Sequence, residues 1–290
     1  MMKAPEIFNN QQICRNRDRA AARFGEADFL KMVAIDRLED RLGLIRRSFD
    51  NVMDIGAHGG YAARYLSGHE KIGQITSFDP SFEFVKQGGA WGQSHQMMVE
   101  SLPDDLPPCD AVISLLYLHQ VNDLPRLMRQ MASYLKPDGL FFAILCGGRT
   151  LQELRASLAA AEEEITGGIS AHVAPMADIK DVGGLLQHAS LAMPVADSEV
   201  ITVTYSSIFK LMQDLRLMGE GNALKGRLNH LSRRDVFFRA AEIYQERYGQ
   251  EDGQIPASFE LISLTGWKPD QSQPKPLRPG AATSSITDIF

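Results

Sequence analysis

The sequence predicts an α/β protein with a doubly wound, mostly parallel seven-stranded sheet and an inserted helical lid. Three observations predict this fold. From about residue 50, short apolar segments alternate with longer amphipathic ones. A glycine-rich turn follows the first apolar segment. About 50 residues, too many for a hairpin loop, separate the last two apolar segments. With 290 residues, 44% of them hydrophobic, the chain can bury a sizeable core.

The apolar segments give the order of the elements. Strands are predicted at 51–55, 74–79, 95–100, 110–118, 139–145, 198–205 and 259–268. Helices are predicted at 28–47, 60–68, 81–89, 122–135, 149–165, 206–218 and 232–247, where apolar residues recur at helical spacing. The predicted organisation is N-terminal helices at 1–48, a ligand-binding domain at 49–205, a lid at 206–256, a last strand at 257–268 and a proline-rich flexible tail at 269–290.

Composition excludes several classes of function. The formal net charge of −6 argues against a general nucleic-acid binder, and the basic segment "RNRDRAAARF" is expected to form a solvated helix face or a ligand clamp. Cys14, Cys109 and Cys146 are far apart and odd in number, so neither a disulfide framework nor a zinc site is predicted. No stretch reaches the roughly 18 to 20 apolar residues of a membrane span, and no signal peptide is visible. We therefore expect a soluble cytoplasmic protein without a metal site.

The turn "DIGAHGG" is the first candidate ligand site. Asp54 ends the preceding strand, and the glycines that follow let the backbone turn tightly with its N–H groups toward a ligand. Asp79 ends the second strand, where a carboxylate can accept hydrogen bonds from both hydroxyls of a ribose. His58 stands where a small residue is usual; histidine tolerates positive φ better than most residues, and its ring can point to solvent. By themselves these features also fit a tight turn with a solvent-facing carboxylate.

The wider pattern of motifs resembles a known family. "DIGAHGGYAARYL", "ITSFDPS", "VESLP", "CDAVISLLYLHQVNDLP" and "LKPDGLFF" follow in the order and spacing of class I S-adenosylmethionine-dependent methyltransferases. Beyond this core, "GGRTLQELRASLAAAE", "DLRLMGEGNAL" and "YGQEDGQIPASFELISLTGWK" resemble the methyltransferase-fold assembly factors of mitochondrial complex I and their bacterial relatives. The resemblance implies a Rossmann-like class I methyltransferase fold and S-adenosylmethionine as cofactor.

The resemblance also implies a set of cofactor contacts. The cofactor would lie over the first turn, with its ribose on Asp79 and its adenine beside the backbone of Val99 and Glu100. Its sulfonium would point toward Ser114, Leu116 and His119. Family members often have an aspartate at the position of Met98, so an adenine hydrogen bond of about 1 kcal/mol, roughly fivefold in affinity, is expected to be missing. The implied cofactor-binding residues are Asp54, Gly56, Ala57, Gly60, Asp79, Pro80, Met98, Val99, Glu100, Ser114 and Leu116.

The candidate catalytic residues are His119, Tyr205 and Asn222. His119 directly follows the fourth strand, where it can act as a base or orient the substrate. Tyr205 and Asn222 can supply hydrogen bonds to a guanidinium or a carboxyl group. The family implies hydroxylation of a protein arginine, with an iron-sulfur subunit of respiratory NADH dehydrogenase as partner. Two alternatives remain open: methyl transfer to a small or carrier-bound acid, as in biotin synthesis, and a non-catalytic assembly chaperone.

Overall fold

The computed structural model of the chain describes residues 6–228 and 233–274. The strands in these ranges are β1 (Phe49–Ile55), β2 (Ile72–Asp79), β3 (Gln93–Gln96), β4 (Cys109–Leu115), β5 (Leu135–Cys146), β6 (Ala192–Tyr205) and β7 (Ile255–Trp267). The α-helices are α1 (Asn10–Ala21), α2 (Phe29–Leu44), α3 (Tyr61–Tyr65), α4 (Phe82–Gly88), α5 (Leu124–Ser133), α6 (Gln152–Thr166), α7 (Ile179–His188), α8 (Ile208–Leu217) and α9 (Arg234–Tyr248). None of the helices described is both long enough and apolar enough to cross a membrane.

The strands form one sheet in the order β3-β2-β1-β4-β5-β7-β6. The pairs from β3 to β5 are parallel, whereas β7 runs antiparallel to both β5 and β6. The predicted mostly parallel, seven-stranded α/β fold is therefore confirmed. The strand order reverses between β1 and β4, and in open sheets of this kind ligands bind at the carboxyl ends of the strands beside such a reversal.

The sheet is covered on both faces. Successive side chains of β5 alternate between two apolar clusters, with Phe142 and Ile144 in one and Phe141 and Ala143 in the other. The first cluster is shared with α2, α6, α8 and α9, and the second with α5 and α7. Because helices cover both faces of the sheet, the side chains on both sides of β5 are apolar.

Some elements differ from the sequence-based expectation. The strand predicted at 95–100 spans Gln93–Gln96 instead, because its neighbour β2 ends at Asp79, opposite Gln96. Helix α7 was not predicted, since adjacent glycines at 183 and 184 lower helix propensity. A Cβ at Gly183 would approach the Ala196 Cβ to 3.3 Å, so a small residue lets α7 pack closely on β6. Most of the predicted tail, residues 275–290, lies outside the described part of the chain.

Candidate functional site

The turn after β1 is glycine-rich because its backbone needs conformations that side chains oppose. Gly56 and Gly60 each have a φ of 76°, and a Cβ at Gly56 would collide with the Tyr117 ring. The N–H groups of Gly56 and Ala57 donate to the Phe78 carbonyl at 2.8 and 3.1 Å. The turn is thereby tied to the end of β2 and forms a fixed floor beside the strand reversal.

The Asp79 carboxylate ends β2 and is saturated with hydrogen bonds. Arg17 donates from Nε to Oδ1 at 3.2 Å and from Nη2 to Oδ2 at 2.5 Å. The Ser81 N–H donates to Oδ1 and the His58 N–H to Oδ2, both at 2.9 Å. A carboxylate offers about four lone-pair positions, so these donors use its whole capacity. Burial alone would lower the pKa of Arg17, but the charge and hydrogen bonds of Asp79 raise it, so the guanidinium stays charged.

His58 lies inside the protein, and its ring does not point to solvent. Its φ is 49°, as histidine tolerates, but only 2% of the residue is exposed, and its ring stacks on Phe24 with the centroids 5.0 Å apart. Burial, followed by the charges of Arg17 and Lys31, lowers the pKa of His58 well below its usual value. The ring is therefore neutral: Nε2 accepts from Arg17 Nη1 at 2.9 Å, and Nδ1 donates to the Gly56 carbonyl at 2.8 Å.

Two further ionisable groups are buried behind the turn. Lys31 of α2 donates from Nζ to the Leu115 carbonyl at 2.9 Å, and its burial lowers its pKa to about 8. Asp54 is fully buried, and neither of its oxygens has a hydrogen-bond partner among the described residues. Burial raises the pKa of Asp54 to about 6, against the opposing charge of Lys31. Buried polar groups are normally hydrogen-bonded, so an unpartnered carboxylate here indicates a ligand site.

The residues around the turn fit S-adenosylmethionine in their chemistry. The unpartnered Asp54 suits a cationic group, and the Asp79 carboxylate suits ribose hydroxyls. Because Arg17 now uses two of the acceptor positions of Asp79, ribose hydroxyls can bond this carboxylate only after Arg17 withdraws. Arg17 of α1 therefore closes this candidate cofactor site.

The segment expected beside the adenine follows β3, the edge strand of the sheet. The Val99 carbonyl accepts from the Tyr117 hydroxyl at 2.5 Å. Glu100 accepts from the side-chain amides of Asn10 at 2.8 Å and Asn122 at 2.6 Å. Met98 is 74% exposed, so its side chain contributes little to a pocket in this arrangement.

The remaining predicted cofactor residues have structural partners. The Pro80 carbonyl accepts from Gln96 Nε2 at 3.2 Å. Ser114 at the end of β4 is buried and donates from Oγ to the Ile55 carbonyl at 2.7 Å, which joins the two strands at the reversal. Leu116 has a φ of 58°, a strained conformation for a leucine, and lies beside the first turn.

A cavity of about 230 Å³ opens next to the carboxyl ends of the strands. Its walls are mainly apolar and include Leu154 and Leu158 of α6, Met212 of α8 and Phe237 of α9. A second cavity of about 30 Å³ continues toward the first turn, where Lys31 and His58 line it. The residues that line both cavities are Leu30, His119, Cys146, Met218 and Glu220.

The polar end of the larger cavity is built from His119, Gln120 and Glu220. The Cys146 N–H approaches Nδ1 of His119 at 3.5 Å, and Nε2 of the same ring lies 3.2 Å from Oε2 of Glu220. The tautomer with its hydrogen on Nε2 satisfies both contacts. Gln120 also donates from Nε2 to Oε2 of Glu220. His119 therefore holds a carboxylate at the junction of the two cavities.

The other two candidate catalytic residues lie in different surroundings. Asn222 lines the larger cavity, where its Nδ2 donates to the Ala171 carbonyl at 2.8 Å and its Oδ1 accepts from the Leu224 N–H at 3.0 Å. Tyr205, at the end of β6, is packed in the core and is not among the residues that line either cavity. The structure thus brings His119 and Asn222 to one cavity, but not Tyr205.

Sequence reasoning missed four residues of the site. Arg17 comes from the basic segment for which a ligand clamp was one expectation, and Lys31 occupies the apolar face of α2, four residues before the buried Ile35. A lysine in an apolar stripe was the signal that could have found it. Glu220 stands between two glycines in "MGEGN", and Gln120 directly follows His119.

Comparison with known proteins agrees with this geometry. The model of a family described as "Methyltransferase domain" matches residues 10–164. The chain is 38% identical over 293 residues to "Arginine-hydroxylase NDUFAF5, mitochondrial" of Rattus norvegicus, covering 99% of this chain and 84% of that protein. It is 30% identical to "Malonyl-[acyl-carrier protein] O-methyltransferase" of Gallionella capsiferriformans, covering 91% of each.

Solved structures are similar in fold. A putative methyltransferase from Bacillus halodurans superimposes with a TM-score of 0.56 at 15% identity, covering 81% of this chain and 99% of that one. The sheet order, the glycine turn with an acidic residue at or next to the end of each of the first two strands, and the matches to methyltransferase sequences all agree. The chain therefore belongs to the S-adenosylmethionine-dependent methyltransferase family, with S-adenosylmethionine as its cofactor.

Proposed function

We propose that the chain binds S-adenosylmethionine at the first turn and modifies a protein arginine by hydroxylation during assembly of respiratory NADH dehydrogenase. The observation that carries the proposal is the 38% identity to a mitochondrial arginine hydroxylase over 99% of the chain. That similarity extends beyond the methyltransferase domain into α8, α9 and the loop between them, which help to wall the larger cavity. It therefore covers the cavity where a substrate would bind as well as the cofactor turn.

The chemistry divides between the cofactor, an oxidant and this chain. S-adenosylmethionine, when bound, supplies an electrophilic sulfonium centre. Hydroxylation replaces a C–H bond of arginine by C–OH and withdraws two electrons from the substrate; with dioxygen as oxidant, an external two-electron donor is needed and the second oxygen atom leaves as water. The chain itself binds and orients. Asp79 and Asp54 would hold the cofactor, and the apolar walls of the larger cavity would receive an aliphatic side chain.

The proposal gives the segment 206–256 the role of a substrate lid. Met212 and Leu215 of α8 and Phe237 of α9 line the larger cavity, so the lid helices shape the space open to a substrate. Gly219, with a φ of 81°, and Gly221 flank Glu220 in the loop between the helices. Such a loop can move to admit a macromolecular side chain. A cytoplasmic location is part of the proposal, and cell fractionation with an antibody to the chain tests it.

Mass spectrometry of the partner tests the reaction. The iron-sulfur subunits of respiratory NADH dehydrogenase would be isolated from cells with and without the gene for this chain. We expect one arginine to carry an extra oxygen atom only in cells with the gene. A gain of one methyl group would instead support methyl transfer, the reaction of the carrier-protein relatives. Identical peptides in both strains would contradict modification and leave the chaperone alternative.

A further inference from the structure

Glu220 lies where the larger cavity approaches the first turn. It lines both the cavity of about 230 Å³ and the cavity of about 30 Å³. The smaller one is also lined by Lys31 and His58, which lie against the first turn. A side chain entering through the larger cavity would therefore meet this carboxylate before it reached the cofactor.

At the polar end of the larger cavity, two acceptor oxygens receive no hydrogen bond from the described residues. Both hydrogen bonds that the described residues give to the Glu220 carboxylate end on Oε2, which leaves Oε1 to accept from a ligand. Glu220 accepts and cannot donate, so the Gln120 amide must turn its NH₂ toward it, and its Oε1 faces elsewhere. That oxygen is buried and has no hydrogen-bond partner within the described ranges. A ligand that completes this end must be rich in donors.

The charge at this end selects among such ligands. Burial alone would raise the pKa of Glu220, but its contact with His119, the charge of Arg17 and the hydrogen bond from Gln120 together lower it. Glu220 is therefore an anion at neutral pH. It would repel the free carboxylate of a malonyl group and attract a cation. Arg216 of α8 also lines this cavity and is charged, but it is exposed to solvent.

A guanidinium on an aliphatic stem matches these features. It is planar and always charged, and it carries five N–H donors in a fixed fork. Its methylene stem suits the apolar walls formed by residues such as Leu158 and Met212. We propose that Glu220, held by His119 and Gln120, is the acceptor for the guanidinium of the arginine substrate, with the unpaired Gln120 Oε1 as a second acceptor. This assignment rests on the proposed function, of which it names the specificity-determining residue.

A pair of small probes isolates the charge of the guanidinium. Nα-acetyl-L-arginine N-methylamide and its citrulline analogue share the same stem, but citrulline ends in a neutral urea. Their affinities for the full chain would be measured by NMR titration. We expect the parent chain to bind the arginine probe roughly tenfold or more tightly than the citrulline probe. Only the arginine probe can form a hydrogen bond between a charged guanidinium and the Glu220 carboxylate. Glu220→Gln should abolish that preference.

Glu163→Gln is the matched control, because it makes the same change of charge and shape at an exposed position of α6 that does not line the cavity. It should keep the full preference for the arginine probe. If Glu220→Gln melts far below the parent, Glu220→Asp decides the matter. That variant keeps the carboxylate on a side chain shorter by one methylene. A reduced preference for the arginine probe supports the assignment, and an unchanged preference overturns it.

The outcomes separate this assignment from the proposed function. A preference for arginine that survives in Glu220→Gln overturns the role of Glu220 and leaves arginine as the substrate. A parent chain that binds arginine and citrulline probes equally overturns the role of Glu220 as well. Tight binding of malonyl-N-acetylcysteamine in place of both probes overturns the assignment together with arginine modification, in favour of methyl transfer to an acid.

Discussion

Three of the five ionisable side chains buried around the first turn form one hydrogen-bonded chain. Arg17 bridges the Asp79 carboxylate and the neutral His58 ring. Lys31 is hydrogen-bonded to a backbone carbonyl, and Asp54 has no partner among the described residues. Burying an unpaired carboxylate is costly, so a protein selected for stability alone would have a neutral residue at position 54.

Asp54→Asn is expected to stabilise the folded protein at neutral pH. Burial raises the pKa of Asp54 from 3.8 to about 6, so the ionised carboxylate lowers the free energy of unfolding by up to about 3 kcal/mol above pH 6. At pH 4 the carboxyl is protonated in the folded state and about half protonated in the unfolded state, so the penalty falls below about 1 kcal/mol. Urea unfolding should therefore show a much larger gain for the variant at pH 7 than at pH 4.

Asp50→Asn, at an exposed position on the same strand, controls for the loss of one charge and should show no such pH dependence. An equal gain for Asp54→Asn at both pH values would mean that ionisation of Asp54 does not destabilise the fold.

Arg17→Gln is expected to bind adenosine several-fold more tightly than the parent does. In the parent, the ribose hydroxyls must displace Arg17 from Asp79. Adenosine lacks the amino-acid end of the cofactor, so it reports on this competition alone. Calorimetric titration gives the affinities, with Arg19→Gln as an exposed control on the same helix. Weaker binding to Arg17→Gln than to the Arg19→Gln control would show that Arg17 contributes to the ribose site instead of closing it.

The sequence predicted the residues of the turn but not their environment. Asp54, Gly56 and Asp79 were identifiable because the pattern of strand and glycine turn is local. The burial of His58 was not, because it depends on Arg17, 41 residues away along the chain, and on Phe24. Pairing between side chains from distant elements leaves no local periodicity by which sequence analysis could find it.

At the scale of elements, α8 and α9, the helices of the proposed lid, both pack in the core and line the larger cavity. Ile208 and Leu211 of α8 and Val236 and Tyr244 of α9 are buried in the core, while Met212 lines the larger cavity. Removal of the whole insertion would therefore expose the apolar face of the sheet as well as open the cavity. The helices were predictable from their amphipathic spacing, but the side that faces a cavity was not, because apolar residues line both core and cavity.

Met212→Trp tests the lid without removing it. The larger side chain should fill part of the cavity of about 230 Å³ and weaken binding of the arginine probe, while adenosine affinity stays within a few-fold of the parent value. Gln213→Trp places the same bulk on the exposed side of α8 and should change neither affinity. NMR titration with each ligand checks this. Unchanged binding of the arginine probe to Met212→Trp would mean that arginine enters elsewhere.

At the scale of the whole molecule, the site assembles from distant parts of the chain. The reversal between β1 and β4 supplies its floor, α1 and α2 supply Arg17 and Lys31, and the lid loop supplies Glu220. Most of the seven-stranded sheet was predictable because its central strands are compact apolar segments between turn signals, whereas the polar edge strand β3 was predicted at other bounds. How α1 lies across the first turn was not, since it is fixed by contacts that span more than 60 residues, such as Arg17 to Asp79.

Cofactor binding should stabilise the entire fold. At a concentration of S-adenosylmethionine about 100 times its dissociation constant, the free energy of unfolding should rise by about 2.7 kcal/mol. Asp79→Asn should show little of this rise at the same concentration, because charge-assisted hydrogen bonds of about 1.5 to 3 kcal/mol each are weakened. Asp105→Asn, at an exposed position, is the control. Equal stabilisation of both variants in urea unfolding would contradict the ribose role of Asp79.

Helix α1 contacts both binding regions through consecutive residues. Arg17 donates to Asp79, and Asn16 donates from Nδ2 to the Gly221 carbonyl at 2.7 Å, next to Glu220. A shift of α1 that frees Asp79 for a ribose also acts on the loop that carries the guanidinium acceptor. Binding of adenosine and binding of the arginine probe are then thermodynamically linked, and the linkage is reciprocal. By whatever factor adenosine changes the affinity for the arginine probe, the arginine probe must change the affinity for adenosine.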